Sequence, residues 1–343
     1  VRTNDYWRER HPEMVRGVAD QNLARVWSPP PGASVSESAF LSAMAPYMSD
    51  PFRGAKERRI LGADESTLSM ELPAARGALD AAKMAPDDVD LVISSAFLPD
   101  QIGVGNAAFL AKALGVRCPA WNLETACTSS LVALETAGAL VATGAYARVL
   151  VVISCSYSKT SPETDTLAWA NGDGAAAFVV GRVPDGEGVL GVKTINTADG
   201  CGAMYYELVG GDAGPHIEMR AGKEAGAALR HTSERALLEC SRGAMRAAGV
   251  TLDDIDFFVV PTPVAWYADF CARLLGFAPE KTINLHPRFA NMGPALMPTN
   301  LYFAAREGKV RPGSLVLLHT VGIVSNASAA VVRWGDVGLG PVP

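Results

Sequence analysis

An α/β fold with two similar halves is what this chain of 343 residues predicts. Three observations carry the prediction: strands alternate with helices, a series of segments recurs in order, and a cysteine sits where a buried strand turns into a helix. AAKMAPDDVDLVISSAF from Ala81 matches AAGVTLDDIDFFVVPTP from Ala247, an offset of 247 − 81 = 166. FLAKALGV (109–116) matches FCARLLGF (270–277), and RVLVVIS (148–154) matches GSLVLLHT (313–320). TAC (125–127) lines up with FAN (289–291), an offset of 291 − 127 = 164. Ordered matches at a near-constant offset imply a duplicated domain, with halves at 1–183 and 184–343. Cys127 and Asn291 then hold equivalent strand-to-helix turns near the pseudo-two-fold axis.

Each element follows from local pattern. Residues 1–52 are irregular, with helical segments at 5–25 and 35–48 around an SPPPGA loop at 28–33. A helix runs from Ser66 to about Met84 and leads through Pro86-Asp87-Asp88 into a strand over Val89–Ala96. A helix near Gly105–Leu114, the cysteine segment, and a strand Val149–Ser154 complete the first series, which requires a mainly parallel, covered sheet. NGDGA (171–175) reads as a turn opening the strand Ala176–Val180. Gly188–Ile195 is a further strand before a glycine-rich loop at 200–214. The second half predicts strands Thr282–Leu285 and Ser314–Leu318, with His286 and His319 at their ends.

Composition narrows the function classes. Net charge is −6 with 49% hydrophobic residues, and no basic run suggests nucleic acid. The six cysteines, at 118, 127, 155, 201, 240 and 271, have no CxxC spacing. A metal cluster or disulfide framework is therefore not expected, and a reducing cytoplasm is. The N-terminal VRTNDYWRERHPEMVR lacks an apolar core of the secretory type. The most apolar long window, near 126–145, contains Glu135 and reads as a buried helix and not a membrane span.

NLETACTSSLVALETAGALVATG (122–144) carries the chemistry. A thiol at the start of a helix feels the positive end of its dipole, which stabilises the thiolate. Unpaired N–H groups of the same turn can hold an oxyanion when a thioester carbonyl binds. A free cysteine packed as a small hydrophobe is the plainer alternative.

Taken together, the duplicated halves, the cysteine turn, NGDGA and a C-terminal strand ending in Arg333-Trp334 resemble the thiolase superfamily, and within it the ketoacyl-ACP synthase III branch. RGAKERRIL (53–61), ELPAARGALDAAKM (71–84), LETACTSSLVAL (123–134) and FANMGPALMP (289–298) are similar to that branch's motifs over roughly residues 50–335. The resemblance implies a five-layered αβαβα fold and a homodimer. It also implies an acyl group carried from coenzyme A or an acyl carrier protein onto Cys127. No permanently bound cofactor is implied; a coenzyme A or phosphopantetheine thioester is the donor.

The departures shape the functional reading. FFVVPTPVAWY (257–267) places Thr262 where the family has its catalytic His and Ala265 where that motif has Asn, whereas Asn291 is retained. Thr donates one hydrogen bond but carries neither the imidazole's proton nor its charge. Losing one such donor costs about 2.7–4 kcal/mol of transition-state stabilisation, which weighs against decarboxylative condensation. His319-Thr320-Val321-Gly322-Ile323-Val324 replaces the family's glycine-rich oxyanion loop, and Phe52 with Arg53 occupies the usual coenzyme A contact. His319 and His286 are the candidate relocated bases toward an alcohol or amine acceptor. Met84, Trp169, Met204, Tyr205 and Trp266 are candidate tunnel residues. Three functions remain open: acyl transfer through Cys127 to a small-molecule acceptor in specialised metabolism such as polyketide biosynthesis, decarboxylative condensation, and a non-catalytic subunit of a heterodimeric synthase.

Overall fold

The computed structural model describes residues 1–23, 32–210, 214–222, 225–322 and 324–342. Residues 28–31 of the SPPPGA segment, 211–213 of the glycine-rich loop and Ile323 of the C-terminal loop lie outside them. Arg2–Thr3 (β1) pairs antiparallel with Glu57–Arg58 (β2), and Asn4–Arg10 (α1), Pro12–Leu23 (α2) and Val35–Met44 (α3) lie between them in sequence. Next come Thr67–Ala81 (α4), Leu91–Phe97 (β3), Ala107–Leu114 (α5), Ala120–Asn122 (β4), Ser129–Ala142 (α6), Arg148–Ser156 (β5), Leu167–Ala170 (α7) and Asp173–Gly181 (β6). Gly188–Asn196 (β7) is followed by a hairpin of Met204–Val209 (β8) and His216–Ala221 (β9). Ala225–Ala248 (α8), Phe257–Val259 (β10), Tyr267–Leu275 (α9), His286–Phe289 (α10), Leu296–Arg306 (α11), Leu315–Val321 (β11) and Asn326–Arg333 (β12) complete the chain.

Two four-stranded sheets result, ordered β4-β3-β5-β6 and β10-β11-β12-β7. β3 runs parallel to β5 and β5 antiparallel to β6; likewise β10 runs parallel to β11 and β11 antiparallel to β12. Strand alternation then builds the layers. Val92, Leu150 and Val152 pack outward on α4 and α5, while Leu91, Ile93, Val149, Val151 and Ile153 pack inward on Ala133, Ala137 and Val141 of α6. In the second sheet Phe257, Val259, Val316 and Leu318 face inward to Leu131 of α6 and to Leu296, Met297 and Phe303 of α11. Phe258, Leu315 and Leu317 face outward to α8 and α9. The result is the expected five-layered αβαβα arrangement, with α6 and α11 in the middle.

Local chemistry explains the element ends. Ser66 caps α4, accepting from Ser69 N while Ser69 Oγ accepts from Ser66 N. Helix α5 ends on Gly115 at φ 81°, a conformation glycine adopts without strain. The strand expected over Thr282–Leu285 is absent. Asn284 instead accepts from His286 N at 3.1 Å and donates to Ala265 O at 2.6 Å, and Pro287 enters the first turn of α10. An Asx-type turn followed by proline starts a helix, so His286 opens one instead of closing a strand.

Candidate active site

Cys127 lies in a short 3-10 turn, Ala126–Thr128, immediately before α6. Ala126 has φ 54°, an uncommon conformation for a residue with a Cβ. Such strain persists only where surrounding bonds over-determine it. Here Glu124 accepts from Ala126 N at 2.5 Å, Ser129 Oγ donates to Ala126 O at 2.8 Å, and Thr125 N donates to Ser129 Oγ at 2.8 Å. The second half adds two bonds: Thr128 Oγ1 donates to Asn326 O at 2.6 Å and Ser325 Oγ donates to Thr125 O at 2.7 Å.

The equivalent turn of the second half repeats the device. Ala290, before Asn291, has φ 55° and ψ −151°, a region almost restricted to glycine. Asn291 N donates to Ala170 O at 2.7 Å, and Gly172 N donates to Asn291 O at 2.9 Å. NGDGA is therefore more than a turn, because it seats the Asn291 loop. Gly172 permits this approach, since a Cβ there would stand 2.5 Å from Phe289 O. Asn291 Oδ1 accepts from Gly293 N at 2.9 Å, which leaves the Nδ2 hydrogens as the donors this side chain presents. The Ala126–Thr128 and Gly293–Ala295 turns are spatial neighbours, so the two motifs meet.

The remaining expected residues divide. Thr262 is fully buried, and its Oγ1 accepts from Asn300 Nδ2 at 3.3 Å. The Thr262 carbonyl accepts from His286 Nδ1 at 2.9 Å, so His286 carries its proton on Nδ1 and keeps a lone pair on Nε2. An imidazole is thus bonded to the very residue that replaces the family's His. Burial lowers the His286 pKa to about 4; the bond to Thr262 opposes this and Arg58 adds to it.

His319 requires a correction. It lies inside β11 and not at its end, and alternation puts it with Leu315, Leu317 and Val321 on the outer face, toward α8 and α9. Both of its ring nitrogens are buried without a hydrogen-bond partner. Burial lowers the His319 pKa to about 4 as well. In the segment that replaces the glycine-rich loop, Gly322 N donates to Asn326 O at 2.8 Å and closes the β11–β12 hairpin, so this N–H is engaged.

Arg53 lines a cavity of about 270 Å³ with Val18, Pro51, Phe52, Trp169 and Ala170. Of the five proposed tunnel residues, Trp169 alone lines this cavity; Tyr205 is exposed and the other three pack in apolar clusters. The cavity wall reaches the Asn291 turn through Ala170, but Cys127 does not line it. Among the described residues no cluster of three or more His, Cys, Asp or Glu could hold a metal ion.

Electrostatics reverse one expectation. Cys127 is half-buried as a residue, yet burial of its thiol is the largest influence and raises the pKa. Tyr157 opposes the rise by hydrogen bonding, the Glu124 carboxylate adds to it, and the backbone N–H of Cys127 itself, beside the sulfur, again opposes it. The 3-10 turn sets Cys127 immediately before α6. Tyr157, with its hydroxyl 3.7 Å from Cys127 Sγ, is the contact that motif reading missed. Its position just past the carboxyl end of β5 was the available signal.

The family model for 3-oxoacyl-[acyl-carrier-protein] synthase III matches residues 121–200, and the model for its C-terminal part matches 245–334. The β-ketoacyl-[acyl-carrier-protein] synthase III of Rhizorhabdus wittichii is 32% identical over 287 residues, covering 82% of this chain and 88% of that protein. The chain belongs to the 3-oxoacyl-[acyl-carrier-protein] synthase III family, within the thiolase superfamily. The β-ketoacyl-[acyl carrier protein] synthase III of Thermus thermophilus superposes with a TM-score of 0.73 at 28% identity, covering 83% of this chain and 89% of that one. The priming β-ketosynthase of the R1128 polyketide pathway shares the fold, with a TM-score of 0.76 at 23% identity over 83% and 86% of the two chains. Synthase III enzymes of this family transfer acyl groups. No helix among the described residues is long and apolar enough to cross a membrane.

Proposed function

We propose that this synthase III relative is an acyltransferase. Cys127 takes an acyl group from a coenzyme A or carrier-protein thioester and passes it to the oxygen, nitrogen or sulfur of a small-molecule acceptor, as in polyketide or other specialised metabolism. One observation carries the reading: position 262 offers a threonine already bonded to Asn300, while the Cys127 turn is fully braced. Acyl transfer needs a thiolate, an oxyanion site and a base, but no enolate stabilisation.

The donor thioester enters by the cavity beside Arg53. Cys127 Sγ attacks its carbonyl, and the oxyanion is held by the Cys127 N–H and Asn291 Nδ2. The pantetheine thiolate departs and takes up the proton that Cys127 released. The acceptor then attacks the acyl-cysteine, with His286 Nε2 as the base. Halves 1–183 and 184–343 supply Cys127 and Asn291 respectively. Two copies join along β4, at the edge of its sheet, where Ile102 (78%), Val104 (64%) and Trp121 (36%) are exposed.

Condensation is the second reading, favoured by the synthase III names of the relatives and by the retained Asn291. Intact-protein mass spectrometry with acyl-CoA and malonyl-CoA, beside Cys127→Ala, separates them. Acyl transfer expects a whole acyl increment on Cys127 and a malonyl group retained without loss of carbon dioxide. A ketoacyl product formed with malonyl carrier protein would refute it in favour of condensation. No loading from any donor would leave the partner-subunit reading.

A further inference from the structure

The sulfur of Cys127 faces a phenol that belongs to none of the matched motifs. Tyr157 follows β5 directly, in the turn Tyr157–Lys159, and is 3% exposed. Its ring meets Phe97 edge-on, with centroids 5.4 Å apart and planes at 77°. Tyr206 of the β8–β9 hairpin meets the other side of that packing, also 5.4 Å from Phe97 at 74°. Behind the hydroxyl lies Gly293, where a Cβ would stand 2.9 Å from Cys155 Sγ, 3.3 Å from the Tyr157 ring and 3.4 Å from its oxygen. Gly293 has φ 51°, so this bare backbone packs closely on both Cys155 and the phenol. Aromatic packing on one side and a bare backbone on the other fix the Tyr157 hydroxyl 3.7 Å from Cys127 Sγ.

We propose that Tyr157 is a catalytic residue whose hydroxyl donates a hydrogen bond to the Cys127 thiolate in both half-reactions of acyl transfer. This rests on the reading of Cys127 as the acyl-accepting nucleophile. In the first half-reaction the thiolate attacks: the bond from Sγ to the acyl carbon forms, the donor's carbon–sulfur bond breaks, and the departing thiolate gains the proton Cys127 lost. In the second half-reaction the same thiolate is the leaving group. Tyr157 keeps its proton on oxygen throughout. Burial first, then the neighbouring Cys127, Tyr206 and Cys155, push the phenol well above its usual range, so it serves as a donor and not as a base. Thr262 lends no such donor, and a thiol raised by burial has particular need of one. Hydrogen bonds to charged groups are the strong class, and sulfur accepts at longer distances than oxygen.

The test is the pH dependence of Cys127 alkylation by iodoacetamide, followed by intact mass and peptide mapping in the full chain. Tyr157→Phe keeps the ring and its packing on Phe97. Its expected effect is a midpoint raised by about one pH unit, which is about tenfold less thiolate at a fixed pH below the midpoint, with the plateau rate and melting temperature unchanged. Replacing Tyr157 by 3-fluorotyrosine, a stronger donor of nearly the same size, lowers the midpoint. A purely structural tyrosine would shift the melting temperature and leave the midpoint in place. An unmoved midpoint in folded Tyr157→Phe overturns the proposal. If that variant does not fold, an unmoved or raised midpoint with 3-fluorotyrosine does so. Alkylation needs no acyl donor, so failure of every thioester to load Cys127 would refute the acyltransferase reading without touching this result.

Discussion

Raising the pH from 5 to 8 should destabilise this fold through one buried carboxyl group. Glu71 of α4 is fully buried, accepting from Ser154 Oγ at 2.6 Å and from Asn106 Nδ2 at 3.1 Å. Burial raises its pKa from 4.5 to about 7; the Ser154 and Asn106 bonds oppose the rise and Asp100 adds to it. The native state therefore holds a proton over a range in which the unfolded chain has released it. That contribution is fully present below about pH 4.5 and is lost as pH rises through 7. The difference, 7 − 4.5 = 2.5 units, corresponds to about 3 kcal/mol at about 1.36 kcal/mol per unit, most of it between pH 5 and 8. Urea unfolding of the parent and of Glu71→Gln at several pH values measures it. Asn106 Oδ1 accepts from Asp100 N, which fixes its amide as a donor to the site; a glutamine side chain can accept there with Oε1 and donate Nε2 to Ser154 Oγ, since a hydroxyl also accepts. Any change in these bonds is a pH-independent offset, so the slope is the quantity to read. The parent should lose stability relative to Glu71→Gln as pH rises, and parallel profiles would refute the argument.

Three further outcomes are expected. His286→Ala should slow transfer of a preloaded acyl group by about 10²–10⁴-fold, whereas His319→Ala should leave that rate unchanged; single-turnover loss of acyl mass distinguishes them. Gly172→Ala drives a Cβ to 2.5 Å from Phe289 O and should cost about 1–3 kcal/mol. Gly138→Ala, in α6 with nothing within 4 Å of the added Cβ, should gain about 0.5–1 kcal/mol, with both read by thermal melting. Trp121→Glu should convert the proposed dimer into a monomer, as measured by light scattering after size exclusion.

Much of the fold was legible because the halves repeat. The pairs Ala81/Ala247 and Cys127/Asn291 located the helices and turns, and period-2 strands gave the layers. Side-chain direction at strand ends was harder to read. The sequence pattern ends the strand at Leu318, but β11 continues to Val321, which places His319 inside it. Thr282–Leu285 looked like a strand by apolar content, while Asn284 and Pro287 governed the backbone. Tyr157 carried only its place after β5 as a signal, because its contacts are with Phe97, Gly293 and Cys127, residues up to 136 positions away from it. The raised thiol pKa was missed because a helix start is local information, whereas burial is set by the whole chain.

Two bonds that brace the Cys127 turn reach across 198 and 200 residues, from Thr128 to Asn326 and from Thr125 to Ser325. During synthesis, then, the cysteine emerges long before the hairpin that holds its strained backbone. Until β12 has joined the second sheet, only the local bonds from Glu124 and Ser129 hold Ala126 in its left-handed conformation. The full bracing of the Cys127 turn is therefore among the last features of the molecule to be completed.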